Sequence, residues 1–128
     1  MALPKGLNIV PGDKEKPFLT LCNTYITFSK SAVEALGKSP FVHMYQDVEK
    51  KIVAFQACEE DMDARVFYKP PKEGKQSITR IIGKKNSQIL MDLAGIDDCG
   101  SGIRIYGEPL LEDSAILFPL ANLGKDHD

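Results

Sequence analysis

The side chains best suited to chemistry in this sequence are cations. Arg65, Lys69, Lys72, Lys75, Arg80, Lys84 and Lys85 fall within 21 residues that hold one anion, Glu73. That segment carries +6 and the rest of the chain −8, so a net charge of −2 conceals a basic island in an acidic molecule. Phe67 and Tyr68 lie inside the island. Lysine and arginine neutralise phosphates, and aromatic faces stack on bases, so the segment is expected to bind nucleic acid or another anionic ligand. The plainer use of the same lysines is to solvate a loop and guard strand edges.

The opposite charge is concentrated too. Glu59, Glu60, Asp61 and Asp63 form a cluster, and Asp97-Asp98 a second pair. Such carboxylates could face a cationic groove on a partner protein, as in small acidic inhibitors of nucleic-acid machines; a solvated loop accounts for them equally well.

Catalytic groupings are sparse. There are two histidines, and His127 stands in the polar tail Lys125-Asp126-His127-Asp128, so His43 is without the convergent partners that a metal site needs. Cys58 precedes Glu59, a neighbour that raises a thiol pKa and lowers its reactivity. Gly100-Ser101-Gly102 lacks the further glycines and the lysine of a phosphate loop. These gaps predict a protein that binds rather than catalyses, with no cofactor and no metal.

The elements that must position these residues follow from punctuation and periodicity. Pro4, Gly6, Pro11, Gly12 and Pro17 mark residues 1–17 as an irregular arm. Phe18 to Leu21 and Tyr25 to Phe28 read as strands. Ser31 with Glu34 has the form of a capping box, opening a short helix to Leu36 that Gly37 stops. A hairpin follows, Phe41 to Tyr45 and Lys51 to Cys58, with Asp47 to Lys50 as its turn. After a basic connection, 59–77, with a strand at Arg65 to Tyr68, much of this order returns. Ser77 to Ile82 reads as a strand, Asn86 or Ser87 as the cap of a longer helix, and Gly95 as its stop. Ile103 to Tyr106 and Ala115 to Leu120 form a second hairpin, its longer loop holding Glu112-Asp113-Ser114.

Strand, capped helix, glycine stop and hairpin thus occur twice, in units 18–58 and 78–123, with a polar tail at 124–128. Aligning Leu36-Gly37 with Ala94-Gly95 superposes them, although residue identity is low. The expected fold is a single α+β domain in which two β-α-β-β units pack as a pseudo-twofold pair, short helices on antiparallel sheet. Two such runs can also arise without duplication.

Ile26-Thr27-Phe28-Ser29-Lys30-Ser31-Ala32-Val33-Glu34-Ala35-Leu36-Gly37, followed by Ile52-Val53-Ala54-Phe55, resembles the AbrB/SpoVT-like swapped-hairpin regulators. Their pattern is a strand, a lead-in to a short helix, a leucine-glycine stop and a hairpin, usually supplied by two chains. The resemblance implies a DNA-binding regulator, duplicated here within one chain. It covers about 30 residues of the first half. The sequence departs from the pattern in having Lys38-Ser39-Pro40 after the helix and, between Asn23 and Ala57, four lysines and no arginine.

Three cysteines, Cys22, Cys58 and Cys99, without a C-x-x-C pair fit reduced thiols, and no apolar run reaches the ~18 residues of a membrane span. The N-terminus has no secretory pattern, so a cytoplasmic protein is expected. The overall expectation is a nucleic-acid-binding regulator acting through residues 65–85, with oligomerisation open. The alternative is a phage or mobile-element inhibitor that binds a host defence protein through Glu59, Glu60, Asp61 and Asp63 or sequesters a small nucleotide signal.

Overall fold

A computed structural model describes residues 5–7, 16–74 and 78–121. Nine strands and two helices are present among them: β1 (Phe18–Leu21), β2 (Tyr25–Phe28), α1 (Lys30–Ala35), β3 (Phe41–Asp47), β4 (Ile52–Cys58), β5 (Arg65–Val66), β6 (Thr79–Ile82), α2 (Lys84–Ala94), β7 (Ile103–Tyr106), β8 (Glu108–Leu110) and β9 (Ala115–Pro119). The strands form two antiparallel sheets, one in the order β6-β2-β1-β7 and the other β5-β3-β4-β9-β8. The α+β class expected from the sequence is what the chain adopts.

Period-2 alternation builds the four-stranded sheet. Leu19, Leu21, Ile26, Phe28, Ile81 and Ile105 are buried on one face, while Phe18, Thr20, Tyr25, Thr27, Arg80 and Arg104 take the other. Val42, Val53, Phe55, Ile116 and Phe118 bury the inner face of the second sheet. The two inner faces meet around Phe28, whose ring stands edge-on to Phe67 at 4.8 Å, Phe55 at 5.1 Å and Phe118 at 6.5 Å. Leu36 beyond α1 and Leu90 and Met91 of α2 join the same core.

Register reveals the pseudo-twofold relation. In the first hairpin Asp47 pairs with Ile52, Gln46 with Val53 and Tyr45 with Ala54. The second pairs Leu110 with Ala115, Pro109 with Ile116 and Glu108 with Leu117, a constant offset of 63 positions (Asp47 to Leu110). Both turns close on a left-handed residue at that offset, Lys51 (φ 56°) and Ser114 (φ 49°). The hairpins join through β4 and β9, where Val53 faces Phe118 and Phe55 faces Ile116, two pairs that the same offset exchanges. Strand β2 pairs with β6. Strand β1 pairs with β7 of the second unit. Strand β5, expected in the connection 59–77, pairs with β3 of the first in the corresponding way, so β5 serves as the second unit's leading strand.

Several local expectations are corrected. The N-cap of α1 is Ser29, whose Oγ accepts from Ala32 N at 3.2 Å; Ser31 lies inside the helix, so the Ser31–Glu34 capping box is not the device used. Helix α2 begins at Lys84 behind Gly83 (φ 134°), ahead of both Asn86 and Ser87. Gly37 and Gly95 do close the helices in the left-handed region, at φ 67° and 72°. The strand read at Arg65 to Tyr68 is two residues long, because Phe67 turns into the core. The second hairpin is not the one expected: Ile103–Tyr106 pairs with β1 in the four-stranded sheet. Residues 108–110, expected in the loop, supply the strand that pairs with β9, so 48–51 and 111–114 are turns of equal length. Ser77, the arm's residues 1–4 and 8–15 and the tail from 122 lie outside the described residues.

Candidate nucleic-acid interface

Strands β5 and β6 are the outermost strands of their respective sheets, and they do not pair with each other. Between them opens a cleft of about 450 Å³ lined by Arg65, Val66, Phe67, Lys69, Ile78, Arg80, Ile81, Ile82 and Asn86. No carboxylate is among these lining residues. The cleft therefore gathers part of the basic island onto apolar walls: Ile78 and Ile82 are well exposed, as is Val66.

Each cation is held differently. Arg65 crosses from β5 to α2, its Nε donating to Asn86 Oδ1 at 2.8 Å and a terminal nitrogen to the Asp63 carbonyl at 3.3 Å. Asn86 Nδ2 in turn donates to the Ile82 carbonyl at 3.4 Å, so one amide ties the two walls. Arg80 projects from β6 with its guanidinium carbon 5.5 Å from the Tyr25 ring centroid. Lys69 lines the cleft, and Lys72 is exposed on the loop beyond Pro70-Pro71. Lys84 and Lys85 are exposed on the first turn of α2, where cations add to the positive end of the helix dipole. Lys75 lies outside the described residues.

The aromatic part of the expected site is corrected. Phe67 is 3% exposed and packs on Phe28, so its ring has no face for a base. Tyr68 is half-buried against the core, its amide donating to the Ser39 carbonyl. Sequence reasoning missed Asn86 as the cross-brace, having read it as a cap. It also missed Ile78 and Ile82, whose spacing about Arg80 puts three residues on one strand face.

The acidic cluster lies elsewhere. Glu59, Glu60, Asp61 and Asp63 are exposed around a fully exposed Met62. Asp61 accepts from His43 Nε2 at 2.7 Å and from the Asp63 amide at 2.9 Å. Partial burial pushes the Asp61 carboxyl up, but these bonds and the nearby imidazole outweigh it and hold it below the usual range. Burial, and secondarily Asp61, raises the Cys58 thiol. Cys99 is raised likewise by burial, then by Cys22 and Asp98. Neither thiol is poised as a nucleophile. Among the described residues no group of three His, Cys, Asp or Glu side chains could hold a metal, and no helix is long and apolar enough to cross a membrane.

Comparison with protein-family models, with curated proteins and with solved structures found no match for this chain.

Proposed function

We propose that this protein is a non-enzymatic, nucleic-acid-binding regulator whose basic cleft between β5 and β6 receives phosphates. The observation that carries the reading is the cleft itself. It brings Arg65, Lys69 and Arg80 onto one concave surface without a carboxylate, in a molecule whose remaining charge is strongly negative. Lys84 and Lys85, exposed in the chain between the cleft-lining Ile82 and Asn86, add to the positive charge.

The test is a titration of mixed-sequence oligonucleotides at two salt concentrations. Affinity should fall steeply with salt, because every neutralised phosphate releases counterions. Removing Lys84 and Lys85 together should weaken binding to all sequences and flatten the salt slope by roughly one unit per lost contact. A flat titration without binding would sink the reading.

A second reading draws on the size of the cleft, which is in the range of small-ligand sites, about 300–1,000 Å³. On it the protein sequesters a small nucleotide, and a mononucleotide or cyclic dinucleotide would compete with the oligonucleotide for Arg65 and Arg80. A protein-inhibitor role predicts instead that charge reversal at Asp61 and Asp63 disrupts capture of a partner while the lysine changes do not.

A further inference from the structure

The solvent face of the four-stranded sheet has a composition that core formation does not require. Its strands, Phe18–Leu21, Tyr25–Phe28, Thr79–Ile82 and Ile103–Tyr106, contain no aspartate or glutamate, although the chain as a whole has more acids than bases. Register sets Arg80, Thr27, Thr20 and Arg104 in one row across all four strands. At two-residue spacing on the same face stand Tyr25, Phe18 and Tyr106. Three aromatic rings and two guanidinium groups thus share one sheet surface, with threonine hydroxyls between them.

The side chains on this face are already ordered. The Arg104 guanidinium carbon lies 4.0 Å from the Phe18 ring centroid, and Phe18 meets Tyr106 edge-on at 5.6 Å. Arg80 lies over Tyr25 at the opposite edge. The Cys22 thiol beside the Tyr25 hydroxyl raises the phenol, with Arg80 pulling weakly the other way, so that ring stays neutral at physiological pH. Tyr106 remains 48% exposed and Ile82 75%. Two carboxylates close in sequence to these strands are engaged, Glu108 with Lys16 at 2.9 Å and Asp98 with Asn23 at 3.0 Å.

We propose that this face is a stacking platform for single-stranded nucleic acid, with Tyr106 and the Arg104–Phe18 pair receiving bases and Arg80 leading the strand into the cleft. The inference rests on the nucleic-acid reading above and names its substrate class. Four strands at about 4.8 Å spacing give a row roughly 14 Å wide, enough for two or three splayed bases. A guanidinium both stacks on planar groups and donates to phosphate, so arginine serves here where lysine would not. In a duplex the bases stack on one another and offer the rings no face. Single strands therefore gain from the platform and duplexes do not. Arg80 and Ile82 belong to both this face and the cleft, which makes the two surfaces continuous.

Fluorescence anisotropy with a labelled mixed-sequence 12-nucleotide strand, as DNA and as RNA, and with the matching duplex tests the proposal. Tyr106→Ala and Arg104→Ala should each weaken single-strand binding about five- to a hundredfold and leave duplex binding within twofold. Tyr106→Phe should restore it, because the ring is what stacks. The Lys84→Ala/Lys85→Ala double variant should weaken both forms alike. Equal loss of strand and duplex on Tyr106→Ala would overturn the platform. So would unchanged binding in both platform variants; if the lysine variant still weakened both forms, the cleft reading would stand alone. No binding of any oligonucleotide would overturn both. Circular dichroism melting confirms that the half-exposed Tyr106 and exposed Arg104 substitutions leave the fold intact.

Discussion

The two hairpins share one register around their turns, yet the units differ at the seam between the leading strand and the next one. In the first unit β1 turns through Cys22–Thr24 and pairs directly with β2, Leu19 against Phe28. In the second, β5 is reduced to Arg65–Val66 and reaches β6 only after residues 67–78, without pairing to it. The residues added there include Lys69, Lys72 and Lys75 of the basic island. A seam that is closed by backbone hydrogen bonds in one unit is an open, cationic cleft in the other. Departure from the internal symmetry coincides with the surface proposed to take a ligand.

The largest expected effect breaks the cleft from behind. Phe67 links the short β5 to the core through Phe28, and Phe67→Ala should cost about 3–5 kcal/mol of stability. Chemical denaturation reads that loss. Any remaining folded protein should discriminate between single strands and duplex as the unaltered protein does. A normal midpoint with selective loss of single-strand binding would restore Phe67 to the surface and contradict the packing.

A second substitution sharpens the comparison of the hairpins. Strands β7 and β8 are one run bent at Gly107 from the first sheet into the second, whereas the equivalent position in the first unit is Met44, within an unbroken strand. A Cβ at Gly107 would stand 2.6 Å from Ile116 Cγ2 and 2.7 Å from a Phe118 ring carbon. Gly107→Ala should therefore destabilise by about 1–3 kcal/mol through overpacking. A neutral result would mean that the inner face at Ile116 and Phe118 yields more readily than a close-packed core.

The first hairpin and the glycine stops were legible in the sequence because alternation and left-handed caps are local signals. The second hairpin was not, because the bend at Gly107 sends Ile103–Tyr106 into the other sheet. Gly37 and Gly95 needed no tertiary knowledge. Phe67 shows the limit: a ring among lysines looks exposed until the fold shows that the chain dives inward after two strand residues. The helix starts failed for a related reason. Ser29 and Ser31 are both capping residues, and only the path of β2 decides which has extended backbone, here Ser29 at φ −67°, ψ 160°. The sheet platform was hidden because Phe18, Tyr25, Arg80, Arg104 and Tyr106 come from four strands spread along the chain.

That capping choice gives the third prediction. Ser29 Oγ accepts from Ala32 N and also from Phe18 N at 3.0 Å, fastening α1 to the start of β1. Ser29→Ala should cost about 0.5–2 kcal/mol, while Ser31→Ala should stay within about 0.5 kcal/mol. Helix α2, capped by Gly83 without a side-chain bond, has no counterpart to lose. Reversal of the two serines in thermal denaturation would reinstate the capping box.

The smallest effect concerns what clamps the closed seam. Asn23, in the β1–β2 turn, donates to Asp98 Oδ1 at 3.0 Å and accepts from the Cys99 amide at 2.9 Å, and Asp98 also accepts from the Gly100 amide at 2.8 Å. The Asn23 and Gly100 bonds hold the Asp98 carboxyl below its usual range, against a weaker upward push from burial. A depressed folded-state pKa means that ionised Asp98 favours the fold. Its contribution is fully present above the ordinary carboxylate value, about 4, and is lost as pH falls through the lower folded value. Asp98→Asn keeps an acceptor oxygen and removes the charge, so it isolates the electrostatic part. The gap in melting temperature between the two proteins should be small at pH 2, open as pH rises towards about 5, and stay level to pH 7. A gap that does not change with pH would show that the clamp works through geometry alone. A gap that widens towards acid would reverse the sign assigned to Asp98.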